Sequence, residues 1–303
     1  MKTIAWIILI LTLVMFLAMI YYLVVGLILF KMFFSRKNIQ EKIVKKQMDK
    51  QDSSWWNKQK FENVFVKSNN KLKLVGHFLD AGTNKTAILV PGFVFDAIKP
   101  YAKFFHDRKF NVFVVENRGC EHSEGGSIGF GGKDTEDILC WIKYLNKKNP
   151  NNKILLFGLS VGGTAVCCAT GEDLPKNVLC AISDSAFANG KIQIEHIIKN
   201  FKPSIKIFKR HLFNFAERVC EIDFKKTNAC EKIKLSKIPI LIIHGQNDKF
   251  VLTENAEKLF ENAPKNLKEL FIVPDADHCQ SYAIAGVKYE KRIDEFLKSR
   301  TNF

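Results

Sequence analysis

From residue 61 onward, short apolar runs rich in β-branched residues alternate with stretches of helical length, and this alternation restricts the possible folds more than any other feature. Phe61 to Lys67 and Leu72 to Leu79 alternate apolar and polar residues, as half-buried strands do, and predict an opening hairpin. Buried-strand candidates follow at Thr86–Val90, Asn111–Val115, Lys153–Phe157, Val178–Ser183, Ile238–Ile243 and Glu269–Val273. Helix-length segments such as Thr135–Asn146 and Glu254–Glu261 separate most of them. A strand apolar on both faces needs cover on both faces. The pattern therefore predicts an α/β domain over residues 61–303, a mostly parallel sheet between two helical layers. One interval, Ala188 to Lys237, is too long for a simple crossover and reads as an insertion over 188–237. The sequence shows no internal repeat.

Ahead of this domain, Thr3 to Phe30 contains no charged residue. As a helix it would measure roughly 42 Å, more than the roughly 30 Å hydrocarbon core of a bilayer. Tyr21 and Tyr22 suit a membrane interface, and Lys31, Arg36 and Lys37 close the span. Residues 1–34 are thus expected to form an uncleaved transmembrane anchor. The alternative is a cleaved secretory signal, whose apolar region is about 7–15 residues long. Only Lys2 and the α-amine precede the span, whereas Lys31, Arg36, Lys37, Lys42, Lys45, Lys46 and Lys50 follow it. Positive charge favours the cytoplasmic side, so the following domain is expected there. Eight cysteines without paired spacing suit a reducing compartment.

The chain carries 46 basic and 31 acidic residues, a formal net charge of +15. Such a balance points to anionic surfaces, either phospholipid or nucleic acid. Because the basic stretches flank the apolar span or lie in the long interval, and no recognition motif appears, nucleic acid is not expected as a partner. Residues 35–60 read as a basic linker. Either it is simply solvated, or it lies on anionic headgroups with Trp55 and Trp56 at the interface.

The chemistry centres on Gly158-Leu159-Ser160-Val161-Gly162. A strand, Lys-Ile-Leu-Leu-Phe, leads into this G-x-S-x-G, and a run of small residues opens a helix after it. That strand–turn–helix setting exposes a serine hydroxyl on a sharp turn, with glycines allowing strained backbone and close packing. A serine hydroxyl needs a positioned base. Of seven histidines, only His278 lies in a loop after the last predicted strand. The base in turn needs a carboxylate to fix its tautomer. Asp248 follows the Ile238–Ile243 strand and completes the chain order Ser160, Asp248, His278. Asp275 and Asp277 are rivals by proximity, and Asp184, at the end of the sixth strand, is a further substitute. An oxyanion needs two backbone donors, and the N–H groups of Val161 and Phe93 are the candidates. Cys167 and Cys168 read as buried small hydrophobes.

These motifs together resemble the α/β-hydrolase superfamily, over residues 62 to 298, and within it the membrane-linked BEM46-like and serine-aminopeptidase-like type. The likeness rests on Pro91-Gly92-Phe93, Arg118-Gly119 with Ser123 and Gly125, the Ser160 pentapeptide, Ile242-Ile243-His244-Gly245 with Asp248, and Ala276-Asp277-His278. It implies an eight-stranded, mostly parallel sheet, serine-hydrolase chemistry and no cofactor. Two stretches depart from the family pattern: the usual His-Gly reads Pro91-Gly92, and the usual Asp-x-Arg-Gly-x-Gly-x-Ser reads Glu116-Asn117-Arg118-Gly119-Cys120-Glu121-His122-Ser123.

The interval 188–237 falls where this superfamily carries a lid. It holds twelve basic and five acidic residues, nearly all the excess charge of the domain, interleaved with Ile197, Ile198, Phe201, Ile205, Ile207, Phe208, Leu212, Phe213 and Phe215. It reads either as a lipid-facing lid with an apolar groove for an acyl chain or as an ordinary amphipathic cover. The expected substrate is a small-molecule or lipid acyl ester or thioester. A peptidase or protein deacylase and a non-catalytic membrane-tethered binding protein are the alternatives.

Overall fold

The strand–helix alternation resolves, in a computed structural model, into one eight-stranded sheet of order β1-β2-β4-β3-β5-β6-β7-β8. The structure describes residues 2–34, 54–127, 129–199, 208–218 and 222–303. The strands are β1 (Glu62–Lys67), β2 (Lys73–Leu79), β3 (Lys85–Val90), β4 (Asn111–Val115), β5 (Lys153–Leu159), β6 (Val178–Asp184), β7 (Ile240–Gly245) and β8 (Lys268–Val273). The first two form the expected antiparallel hairpin, β2 runs antiparallel to β4, and all remaining pairs are parallel. The eight-stranded α/β architecture implied by the resemblance is therefore present.

Period-2 alternation sends neighbouring side chains to opposite layers. Ile88, Val90, Phe113 and Val115 join a core with Trp141, Ile142, Val166 and Leu259. Ala87, Leu89, Val112 and Val114 join another with Ile98, Phe105, Ile293 and Phe296. The main helices of the first layer are α4 (Gly132–Lys148), α5 (Val161–Thr170) and α9 (Glu254–Asn262). The second layer holds α3 (Lys99–Asp107) and α11 (Val287–Arg300), the latter preceded by the short α10 (Ser281–Ala285). Buried Cys167 and Cys168 belong to the first core, and burial pushes the Cys167 thiol up to about 12. Those two cysteines behave as apolar residues.

Strand boundaries differ from the sequence expectation chiefly at β7, which begins at Ile240 rather than Ile238. Pro239 has no N–H to donate to the ladder, although its carbonyl accepts from Ala181 N–H at 2.9 Å.

At the N-terminus, α1 (Lys2–Phe34) is apolar on every side and exposed along its large side chains from Ile4 through Ile20. Most of the basic linker, residues 35–53, lies outside the described residues. The end that is described corrects one expectation. Trp55 and Trp56, on the short helix α2 (Ser54–Asn57), pack on the domain: Trp56 stacks on Phe61 with ring centroids 3.9 Å apart, and Trp55 lies 5.7 Å from the His106 ring.

Within the long interval, α6 (Gly190–Lys199), α7 (Lys209–Arg218) and α8 (Ala229–Ile233) are described. Phe201, Ile205 and Ile207, named above for a lid, fall outside the described residues. A third apolar cluster joins α6 and α7 to Phe93, Val161 and Phe187, and to Leu29 and Phe30 of α1.

Candidate active site

The sheet reverses its direction of growth at β3, with β4 on one side and β5 to β8 on the other. Ligand crevices form at such a switch point, beyond the carboxyl ends of the strands. Pairing of Val90 with Gly158 puts the segments after β3 and β5 side by side there. The first carries Pro91-Gly92-Phe93 and the second Ser160.

Ser160 sits between β5 and α5 with φ 56° and ψ −119°, in a region that a non-glycine residue enters at a cost of about 1–3 kcal/mol. Its N–H donates to the carbonyl of Asp184 at 2.8 Å, and its carbonyl accepts from Thr164 N–H at 3.0 Å. The flanking glycines make the turn possible. A Cβ on Gly162 would lie 2.1 Å from the Val90 carbonyl oxygen, and one on Gly158 would lie 2.2 Å from that of Gly162. The loop after β3 also approaches closely: a Cβ on Gly92 would come within 3.1 Å of Ser160 Cβ.

Three predicted residues meet. Ser160 Oγ lies 2.9 Å from His278 Nε2, and His278 Nδ1 lies 2.7 Å from Asp248 Oδ2. All three are buried, at 3%, 8% and 3% exposure for Ser160, His278 and Asp248. A carboxylate only accepts, so Nδ1 carries the imidazole hydrogen and Nε2 presents its lone pair to the serine hydroxyl. The other oxygen of Asp248 accepts from Phe250 N–H at 2.9 Å and Val251 N–H at 2.8 Å, which fixes the carboxylate plane. The rival acids do not enter this chain. Asp275 is exposed, Asp277 is half-buried, and neither makes a described bond to His278. Asp184 is buried at the base of the site but is occupied by hydroxyls of Tyr289, Ser185 and Ser281.

The electrostatics follow from this packing. Burial pushes the Asp248 carboxyl up, but the adjacent His278 and the bonds from His244 and His278 outweigh it and hold it well below the usual carboxylate range. Burial alone would lower His278. The neighbouring Cys279 sulfur and the Asp248 carboxylate reverse that, and the imidazole lies well above its ordinary value.

Val161 opens α5, so its N–H is one of the helix-initial donors that have no partner within the helix. Phe93 is buried, with its ring edge-on to Phe130 at 5.9 Å. The two residues share the third cluster beside Ser160.

Two further residues belong to the site. His244 Nε2 lies 2.8 Å from the Val251 carbonyl and 3.2 Å from Asp248 Oδ2. Since a carbonyl only accepts, Nε2 bears the hydrogen, and the buried Nδ1 has no hydrogen-bond partner among the described residues. His244 is thus a second ring donor to the carboxylate. Its signal was its place at a strand end, four residues before Asp248. Asn117, at the unconstrained position of the Glu116-Asn117-Arg118-Gly119 stretch, donates its side-chain amide to the Pro91 carbonyl at 2.8 Å and pins the loop after β3.

Residues 98–303 match the prolyl oligopeptidase family. The chain belongs to that family. The α/β-hydrolase fold described above is in keeping with that family. It is 25% identical over 205 residues to the uncharacterized protein YfhR of Escherichia coli (strain K12), a match covering 67% of this chain and 66% of YfhR. The chain thus spans just under two thirds of YfhR. Over 274 residues it is 22% identical to the uncharacterized protein YqkD of Bacillus subtilis (strain 168), covering 87% and 88% of the two chains. Among solved structures, the esterase Pf2001 of Pyrococcus furiosus superposes with a TM-score of 0.67 at 22% identity, covering 84% of this chain and 98% of the esterase. That likeness shows the fold.

Proposed function

We propose that this family member is a membrane-anchored serine hydrolase cleaving a carboxylic ester or thioester. The observation that carries the reading is the unbroken chain of bonds from Ser160 Oγ through His278 to Asp248, at 2.9 and 2.7 Å. His278 Nε2 takes the hydroxyl proton as Ser160 Oγ attacks the acyl carbon. The carbonyl oxygen becomes an oxyanion held by the N–H groups of Val161 and Phe93. Collapse of the tetrahedral adduct breaks the bond to the leaving group, which receives the proton from His278. Water then repeats the sequence on the acyl-enzyme and restores Ser160.

The same family membership favours a second reading, a serine peptidase or protein deacylase. Parallel assays of acyl esters and acyl amides separate the two, since amides demand protonation of a much poorer leaving group.

In this reading residues 1–34 anchor the chain, 188–237 cover the site, and the catalytic domain, residues 61–303, faces the cytoplasm. The burial of Gly26, Leu29 and Phe30 supports an anchor over a cleaved signal, because cleavage would strip one face from the third cluster.

The test is labelling of the intact protein with a fluorophosphonate. Wild type is expected to take the label and Ser160→Ala to lose it. A folded wild type that stays unlabelled would remove the hydrolase reading and leave the binding-protein alternative. The raised pKa of His278 adds a pH expectation. Below that pKa the ring is protonated and cannot accept the serine proton, so kcat/KM falls with acid. The midpoint of that fall should lie above 6.5, the ordinary histidine value. A midpoint at or below 6.5 would contradict it.

A further inference from the structure

The last turns of α1 are not free-standing. Gly26, Leu29 and Phe30 are buried and Tyr22 and Val25 half-buried, a spacing that selects one helix face, while Leu23, Val24, Leu27 and Ile28 on the other faces stay exposed. The covered face lies on α7. A Cβ on Gly26 would sit 2.0 Å from the ring of Phe215, so only glycine admits that ring against the α1 backbone. His211 Nε2 donates to the Tyr22 carbonyl at 3.0 Å, and the two rings meet edge-on with centroids 4.3 Å apart. Phe30 closes the seam on Phe215 from the other side, at 6.3 Å.

Length makes this arrangement informative. The apolar span Thr3–Lys31 has 29 residues, whereas about 20 suffice to cross the hydrocarbon core. The surplus of about nine residues matches the stretch from Tyr22 to Phe30 that α7 covers. The two helices run in the same direction, because His211 meets Tyr22 and Phe215 meets Gly26 and Phe30. The first turn of α7 therefore lies where α1 leaves the bilayer. That turn carries exposed Lys209, paired with Glu195 at 2.9 Å, and exposed Arg210. From the same seam the third cluster continues through Phe213 and Phe215 to Phe93 and Val161 beside Ser160.

We propose that the α1–α7 seam docks the cover of the active site onto the headgroup layer of an anionic phospholipid membrane, so that acyl substrate reaches Ser160 from the lipid side. The proposal rests on reading Ser160 as the nucleophile and α1 as a membrane span. It gives the surplus length of α1 and the glycine at position 26 a role in choosing the substrate's route. Arg210 meets the phosphates, and the seam keeps α7 at their depth.

The experiment uses the full chain in phosphatidylcholine vesicles with or without phosphatidylserine. Two substrates are compared, a water-soluble acetyl ester and an oleoyl ester dissolved in the vesicle. Wild type should cleave the oleoyl ester about fivefold faster with phosphatidylserine present, and Arg210→Glu should abolish that gain. Gly26→Leu forces Phe215 off α1 and should lower oleoyl turnover about tenfold in both vesicles. Acetyl turnover should change less than twofold in either variant. Loss of both substrates together in Gly26→Leu would reduce the seam to a structural contact and overturn the proposal. An unchanged oleoyl-to-acetyl ratio, or a wild type indifferent to phosphatidylserine, would overturn it as well. A wild type that neither turns over the acetyl ester nor takes the fluorophosphonate fails the hydrolase reading instead.

Discussion

Asp248→Asn is expected to lower kcat/KM on any turned-over ester by about 10³–10⁴-fold while leaving the fold intact. The reason is the hydrogen inventory around one oxygen. Asp248 Oδ2 now receives the His278 Nδ1 hydrogen at 2.7 Å and faces His244 Nε2 at 3.2 Å. An asparagine keeps its carbonyl oxygen for the Phe250 and Val251 N–H groups, which only donate. Its NH₂ must then point at His278. Two donors cannot face each other, so the imidazole moves its hydrogen to Nε2 and can no longer accept the Ser160 proton. Fluorophosphonate labelling should slow by a similar factor, with the circular dichroism spectrum unchanged. A variant within tenfold of wild type would show that another group orients His278, and Asp277→Asn would be the next variant to measure.

Much of this arrangement was legible in the sequence, for identifiable reasons. Strands buried on both faces declare themselves as apolar runs, so β3 to β8 were each located, and the β4 bounds coincide. The Ser160 turn was legible because glycine is the only residue that fits between crowded backbones at 158 and 162. His278 stood out as the histidine in the loop after the final strand.

What could not be read depended on contacts that only the folded chain makes. His244 stands just past the predicted strand, four residues before Asp248, and only the folded turn brings its Nε2 to the Asp248 carboxylate. Trp55 and Trp56 found their partners at Phe61 and His106, one near and one far along the chain. The seam on α1 left almost no trace, because a helix apolar all round shows no preferred face until a neighbour covers one. Gly26 was the sole local sign, and a glycine in an apolar helix has many possible reasons.

Asp184→Ala is expected to cost about 3–5 kcal/mol of stability, since each buried hydroxyl left without an acceptor costs about 1–3 kcal/mol. Asp184 was a rival for the orienting acid, and its surroundings give it a different task. Its Oδ2 accepts from Tyr289 at 2.9 Å, and its Oδ1 accepts from Ser185 at 2.9 Å and Ser281 at 3.1 Å. All four residues are fully buried. Burial pushes the Asp184 carboxyl up, and the hydroxyl donors work against that rise. The network reaches the catalytic loop, since Ser185 Oγ also accepts from Cys279 N–H at 3.1 Å, next to His278. Alanine would remove the acceptor of these three hydroxyls and of Tyr101, whose hydroxyl lies 3.5 Å from Oδ2, and free the loop that carries the base. Asparagine retains one acceptor oxygen and should cost less than half as much. Thermal unfolding of the full chain in detergent should therefore rank wild type above Asp184→Asn and Asp184→Ala last, the last by roughly 10 °C. Because Asp184 touches the loop and not the imidazole, residual Asp184→Asn activity should keep the wild-type acid midpoint. A shifted midpoint would place Asp184 in direct electrical contact with His278 and contradict the bracing role.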